Sequence, residues 1–274
     1  MTHSTRFARS GQDVKVCILQ SDGTNCDNEL FFAFKKVGGS PEFVHVNELR
    51  DKSKSLKNFD ILALPGGFSY GDDIASGKIL AIELISFLKN EIEKFKKGEG
   101  LIIGICNGFQ TLVRTGLLPF GKMGVMDATL AANDSGHFEC RWIKLKLQRS
   151  KCVFLKKNSI GWFSVNHGEG KFLGNSETLK KIEVQDLVVF RYVNEKGNPT
   201  QEYPKNPNGS LNAIAGITDP TGRVLGLMPH PEKFVDTTQY PNWRRERRGF
   251  SSKIEKPHGL FIFEDMVNYV KEGK

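Results

Sequence analysis

The chain has 274 residues, enough for one large domain or two small ones with a sizeable core. At 39% hydrophobic and 26% charged, its composition is that of an ordinary soluble protein, with no low-complexity tract and no apolar run near the ~18 residues of a membrane helix. The net charge of +8 raises nucleic acid as a partner, but the lysines are spread along segments such as "LKNEIEKFKKGEG", interleaved with glutamates as on a solvated face.

The first 13 residues, "MTHSTRFARSGQD", contain no apolar segment of the secretory type and read as a short disordered lead-in. "VKVCILQ", residues 14–20, is a short apolar run followed by turn residues, the pattern of a buried strand. In "NCDNELFFAFKKVGG", Leu30, Phe31, Phe34 and Val37 fall at helical spacing; Asn25 or Asp27 is the expected cap, and Gly38 and Gly39 close the helix. "PEFVHV" and "FDILALPGG" supply a second and a third strand, residues 78–97 a long amphipathic helix, and "LIIGI" a fourth strand. Residues 107–115 form the next helix, ended by Gly116. Strands this continuously apolar, alternating with helices, predict an α/β fold with a mainly parallel sheet covered on both faces. In such sheets ligands bind beyond the carboxyl ends of the strands, where "PGGF" and "CNGF" lie.

The second half changes texture. "ECRWIKLKLQ" alternates, "DLVVFRYVNEKGN" is a strand running into a turn, and "NAIAGITDPTGRVLGLMPHPE" is two strands around "DPTG", all signals of antiparallel additions. "GLFIFEDMVNYVKEG" predicts a terminal helix packing through Phe261, Met266, Val267 and Val270. With no low-complexity linker, residues 14–274 read as a single domain.

The five cysteines are an odd number without framework spacing, which favours reduced thiols in a cytoplasm. His137 and Cys140 in "HFEC" lack a second matching pair, so no metal site is expected. Cys106 stands apart. It follows a strand, opens a helix, and is flanked by Gly104 and Gly108 in "GICNGFQ", an arrangement analogous to the nucleophile elbow of hydrolases. The helix N-terminus and a nearby imidazole are expected to lower its pKa. The amide of Asn107 and the glycine turn at Gly67 are the candidate oxyanion donors. A buried structural cysteine is the competing reading. "MPHPE" decides between them: His230 and Glu232 leave an apolar strand two residues apart around the rigid Pro231, so a base and its orienting carboxylate can act as one unit.

These motifs resemble the class I, or triad-type, glutamine amidotransferases, which share G-x-C-x-G-x-Q and H-x-E. More narrowly, "DGTNCDNE", "PGGFSYGDD", "CNGFQ", "NHGEG" and "MPHPE" stand in the order found in the glutaminase components of phosphoribosylformylglycinamidine synthases of purine biosynthesis. The resemblance covers nearly everything from Val14 onward and implies a flavodoxin-like amidotransferase fold. It implies that Cys106 attacks glutamine to form a γ-glutamyl thioester, that His230 is general acid and base, and that Glu232 orients it. It further implies that Gly67 and Asn107 form the oxyanion hole and that Gln110 helps hold the glutamine.

Ammonia would pass to a separate synthetase subunit that uses ATP and Mg, with a small accessory subunit as a further candidate partner. This chain has no P-loop or Gly-rich ATP signature and is expected to bind no cofactor of its own. Service to a different ATP-dependent synthetase is the alternative. His167 and Glu169 of "NHGEG" are expected in a loop or partner contact, and Cys26 is expected to pack at a helix start. The cluster Arg244, Arg245, Arg247 and Arg248 either docks an acidic face of the synthetase or lies on a solvated loop. "EYPKNPNGS" and the segment around that cluster exceed the compact family pattern and resemble the fused, single-chain synthase.

Overall fold

The computed structural model describes residues 13–155, 159–247 and 256–273. The expected lead-in, apart from Asp13, and Arg248 lie outside the described residues.

Strand β1 (Val14–Gln20) is followed by α1 (Asp27–Lys36), β2 (Gly39–His45), the short α2 (Val46–Arg50) and β3 (Ile61–Leu64). Neither predicted residue caps α1: Cys26 takes that position with no side-chain bond, and the Asp27 carboxylate accepts from Gln20 instead. The second strand stops one residue earlier than "PEFVHV" suggests. The ring of His45 accepts the amide of Asn47 at 3.2 Å and Glu48 accepts the amide of His45 at 2.8 Å, a reciprocal cap that turns Val46 into a helix.

Residues 78–97 are helical throughout, as α3 (Lys78–Glu83) and α4 (Lys89–Lys97) joined by a π-type turn at Leu84–Leu88. Leu84, Leu88 and Ile92, at intervals of four, are all buried along this helical run. Next come β4 (Leu101–Ile105) and α5 (Asn107–Thr115), with the predicted bounds, and Gly116 ends α5 in the left-handed region.

The second half supplies β5 (Ala128–Ala132), β6 (Glu139–Leu147), β7 (Ile160–His167), β8 (Glu169–Gly174), α6 (Ser176–Val184), β9 (Val188–Tyr192), β10 (Ile214–Thr218) and β11 (Val224–Leu227). The segment α7 (Trp243–Arg247) and the terminal α8 (Leu260–Lys271) complete the chain. Nine strands form one sheet in the order β2-β1-β3-β4-β11-β10-β9-β6-β7, and β5 pairs with β8 in a small second sheet. From β2 through β11 the neighbours are parallel; from β11 to β7 they are antiparallel.

Every residue of β3, β4 and β11 is buried, so both faces of the sheet are covered there. Helix α8 packs on α1 through Phe263 and Phe34, whose rings meet edge-on at 5.0 Å, with Ile262 and Met266 buried beside them. Helix α5 lies against β3, β4 and β11, and Phe109 stacks on Phe172 of β8.

The antiparallel half also curls. β7 is the far edge of the sheet, four positions from β11, yet Ser164 bridges to His230 just beyond the end of β11, with the His230 amide donating to the Ser164 carbonyl at 2.9 Å. That return brings "NHGEG" to the carboxyl ends of the parallel strands.

Candidate active site

Three adjacent strand ends build the site. Leu64 pairs with Gly104, and Leu227 with Ile105, so the residues that follow β3, β4 and β11 emerge side by side. The amide of Cys106 donates to the Leu227 carbonyl at 2.8 Å, which pins the cysteine to the strand that delivers His230.

Cys106 has φ 52° and ψ −106°, in the left-handed half of backbone space that a side-chain-bearing residue rarely adopts. Two close approaches hold it there. A Cβ on Gly108 would come within 2.1 Å of the Leu64 carbonyl oxygen, and one on Gly104 within 2.6 Å of the Gly108 carbonyl oxygen. The flanking glycines thus let strand, elbow and helix interlock. His230 stands on the other side of Gly66: a Cβ there would lie 2.7 Å from Cε1 of its ring and 3.4 Å from the Cβ of Cys106.

The ring of His230 is buried, and its Nδ1 lies 2.5 Å from Oε1 of Glu232. The carboxylate favours the tautomer with the proton on Nδ1, which leaves Nε2 as a proton acceptor. Nε2 has no hydrogen-bond partner among the described residues. A cavity of about 210 Å³ opens beside this ring, lined by Asn25, Cys26, Gly67, Phe68, Phe138, Asn166, His230 and Lys233.

Gly67 lies in the cavity wall at φ 135°, where a Cβ would meet the Asn25 amide nitrogen at 2.7 Å, so only glycine lets the two loops cross. Asn107 contributes its amide, which lies close enough to the Cys106 sulfur to pull the thiol pKa downward. Its side chain turns away and secures the loop after Gly67: Oδ1 accepts from the Ser69 hydroxyl at 2.6 Å, and Nδ2 donates to Asp72 at 2.9 Å.

Gln110, expected to help hold the glutamine, is one turn along α5 from Cys106. Its Nε2 donates to the Glu169 carbonyl at 2.6 Å and its Oε1 accepts from Asn107 at 3.2 Å. It is buried, and through the Glu169 carbonyl it ties the start of β8 to α5.

Other expectations are corrected by burial. His167 is no surface loop residue: it is 3% exposed at the end of β7, with Nδ1 3.0 Å from Oδ1 of Asn133 and Nε2 3.5 Å from Nδ2 of Asn208. Burial first, and then the nearby His230, lower its pKa to about 4. Glu169 is half-buried, and its carboxylate lies 3.6 Å from Arg114.

Cys26 does start a helix, but it also lines the cavity; its sulfur, a ring nitrogen of His230 and a carboxylate oxygen of Glu232 lie within 4.8 Å of one another. Its amide donates to the Gly66 carbonyl at 3.2 Å, which carries the loop after β1 across the end of β3.

The thiol of Cys106 also departs from expectation. Burial, reinforced by Cys26 and Glu232, holds its pKa well above the ordinary thiol range, against the opposite pull of Lys233 and the Asn107 amide. The sulfur donates to the Asn166 carbonyl at 3.6 Å. Desolvation is thus the largest influence on this thiol and favours its protonated form. Of the arginine cluster, Arg244 and Arg245 are exposed on α7. Asn25, Asn166 and Lys233 escaped the sequence reading as cavity residues, although each lies inside or beside a quoted motif.

Residues 13–270 match the CobB/CobQ-like glutamine amidotransferase domain family. The chain is 45% identical over 260 residues to the phosphoribosylformylglycinamidine synthase subunit PurQ of Dehalococcoides mccartyi, covering 94% of this chain and 98% of the relative. It is 40% identical over 278 residues to the subunit of the same name from Archaeoglobus fulgidus, covering 95% and 98%. Among solved structures, PurLQS from Thermotoga maritima matches with a TM-score of 0.70 and 29% identity, over 95% of this chain and all of that one. The chain therefore belongs to the PurQ family of phosphoribosylformylglycinamidine synthase subunits.

Proposed function

We infer that this chain is the glutaminase subunit of phosphoribosylformylglycinamidine synthase, releasing ammonia from glutamine for a synthetase subunit. Near-complete collinearity with PurQ relatives, joined to a Cys106 elbow that shares Gly66 as a neighbour with the His230–Glu232 couple, carries this reading.

In the first step the Cys106 sulfur attacks the side-chain carbonyl carbon of glutamine, and its proton passes to Nε2 of His230. The oxyanion forms against the amides of Asn107 and Gly67. His230 returns the proton to the amide nitrogen, the carbon–nitrogen bond breaks, and ammonia leaves a γ-glutamyl thioester on Cys106. Water then attacks the thioester while His230 takes its proton, and glutamate departs as the thiol is restored. Glu232 stabilises the imidazolium formed in both halves.

The synthetase partner consumes ATP with Mg and uses the ammonia to convert formylglycinamide ribonucleotide to its amidine, with a small accessory subunit as a further candidate component. This chain acts as one amidotransferase domain without a cofactor of its own. All five cysteines are free thiols and no described helix is long and apolar enough to cross a membrane, which supports a cytoplasmic location.

Cys106→Ala in the assembled synthase tests the division of labour. Glutamine-dependent product formation should disappear, while the reaction driven by added ammonia persists. Loss of both activities in a folded, assembled complex would overturn the reading.

A further inference from the structure

Lys233 follows Glu232 on the 3-10 turn Pro231–Lys233, so its backbone is fixed relative to the catalytic base. Its side chain is half-buried and lines the cavity. Nζ donates to Oδ1 of Asn166 at 3.1 Å, a neutral acceptor, and it forms no ion pair with a carboxylate among the described residues. An ammonium held this way in a cavity wall presents an uncompensated charge to whatever enters.

The position of that charge is informative. The Cys106 thiol donates to the carbonyl of Asn166, and Lys233 donates to the side-chain oxygen of the same residue. Thiol and ammonium thus stand at the two ends of one asparagine. Glutamine has the matching layout: its carboxamide, which must reach the thiol, is separated from its α-carboxylate by a short carbon spacer. The other side chains in the wall, Asn25, Cys26, Phe68, Phe138 and Asn166, include no second Lys or Arg.

We propose that Lys233 reads the α-carboxylate of the substrate, with Asn166 holding the ammonium in register with Cys106. The proposal rests on the glutaminase reading above. Lys233 is then a specificity determinant: it selects a free α-carboxylate and sets which end of the molecule faces the nucleophile. A lysine suits this task as a compact charge on a flexible stem, and a second neutral partner orients it without neutralising it.

The test uses the assembled synthase and compares wild type, Lys233→Met and Lys233→Arg on glutamine and on glutamine α-amide, which lacks the carboxylate charge. Loss of a charge-assisted hydrogen bond predicts a KM for glutamine raised by roughly 10- to 100-fold in Lys233→Met, with kcat falling by much less. Lys233→Arg should recover most of the affinity. The wild-type preference for glutamine over the α-amide should collapse in Lys233→Met. An unchanged KM, an unchanged preference, or a fall in kcat alone overturns the proposal while leaving the glutaminase reading intact. A wild-type complex that cannot hydrolyse glutamine overturns both.

Discussion

Glu232 meets His230 at Nδ1, 2.5 Å away, and leaves the opposite ring nitrogen buried without a partner among the described residues. A buried polar atom kept unpaired costs stability, and in the proposed triad Nε2 is the atom that takes up the thiol proton during turnover. On that proposal the carboxylate decides which nitrogen can accept the thiol proton. Glu232→Gln preserves size but presents an amide whose nitrogen can donate to Nδ1, pushing the ring proton to Nε2. Single-turnover thioester formation should slow by at least about 10²-fold, the usual scale for a general acid–base group. KM should change little, because Glu232 does not line the cavity. A rate within a few-fold of wild type would remove Glu232 from the triad.

His167 makes a separate prediction, in stability and not in chemistry. Its ring titrates near 6.5 when unfolded and is held neutral down to about 4 in the folded chain, by burial first and by His230 second. Between those values the unfolded state binds more protons, so stability falls as pH falls through the window and the loss levels off below about pH 4. The full effect is roughly 3 kcal/mol. Urea unfolding of wild type at pH 7 and pH 5 should show this slope, and His167→Asn should flatten it. His258, also lowered by burial, is common to both proteins and cancels in the difference. Equal slopes would mean that His167 does not stay neutral in the folded state.

Much of this was legible in the chain because it is local. β1, β4 and α5 are marked by apolar runs and glycine punctuation within ten residues, and the elbow and the "HPE" couple each fit in a heptapeptide. The missing information is long-range. Ser164 meets His230 only because the antiparallel half curls back, and Lys233 meets Asn166 across 67 positions for the same reason. No periodicity encodes that return. Burial also placed His167, expected in a loop or partner contact, as an internal hydrogen-bonding group, and Gln110 is tied to the Glu169 carbonyl, a contact that its motif does not announce.

Cysteine reactivity brings the closed state of the site to a direct test. Cys17, Cys26, Cys106 and Cys152 are buried and Cys140 is exposed. Burial raises Cys26 and Cys152 to about 12 and pushes Cys17 and Cys106 higher still. Since thiolate fraction and access set the alkylation rate, iodoacetamide at neutral pH should label Cys140 of the isolated chain first, reversing the order that the elbow motif alone suggests. A glutamine-shaped electrophile, such as a diazoketone analogue, behaves differently because it occupies the cavity and places its reactive carbon at the elbow. It should label Cys106 alone, slowed by excess glutamine and weakened in His230→Ala. If docking to the synthetase completes the site, adding that subunit should accelerate the labelling, as expected for an enzyme that would otherwise waste glutamine. Peptide mapping reads all of these outcomes in one experiment, with Cys140→Ser as the control for the exposed thiol. Rapid iodoacetamide labelling of Cys106 in the isolated chain would contradict the protonated, closed resting site. Diazoketone label on Cys26, or spread over several cysteines, would remove Cys106 as the nucleophile.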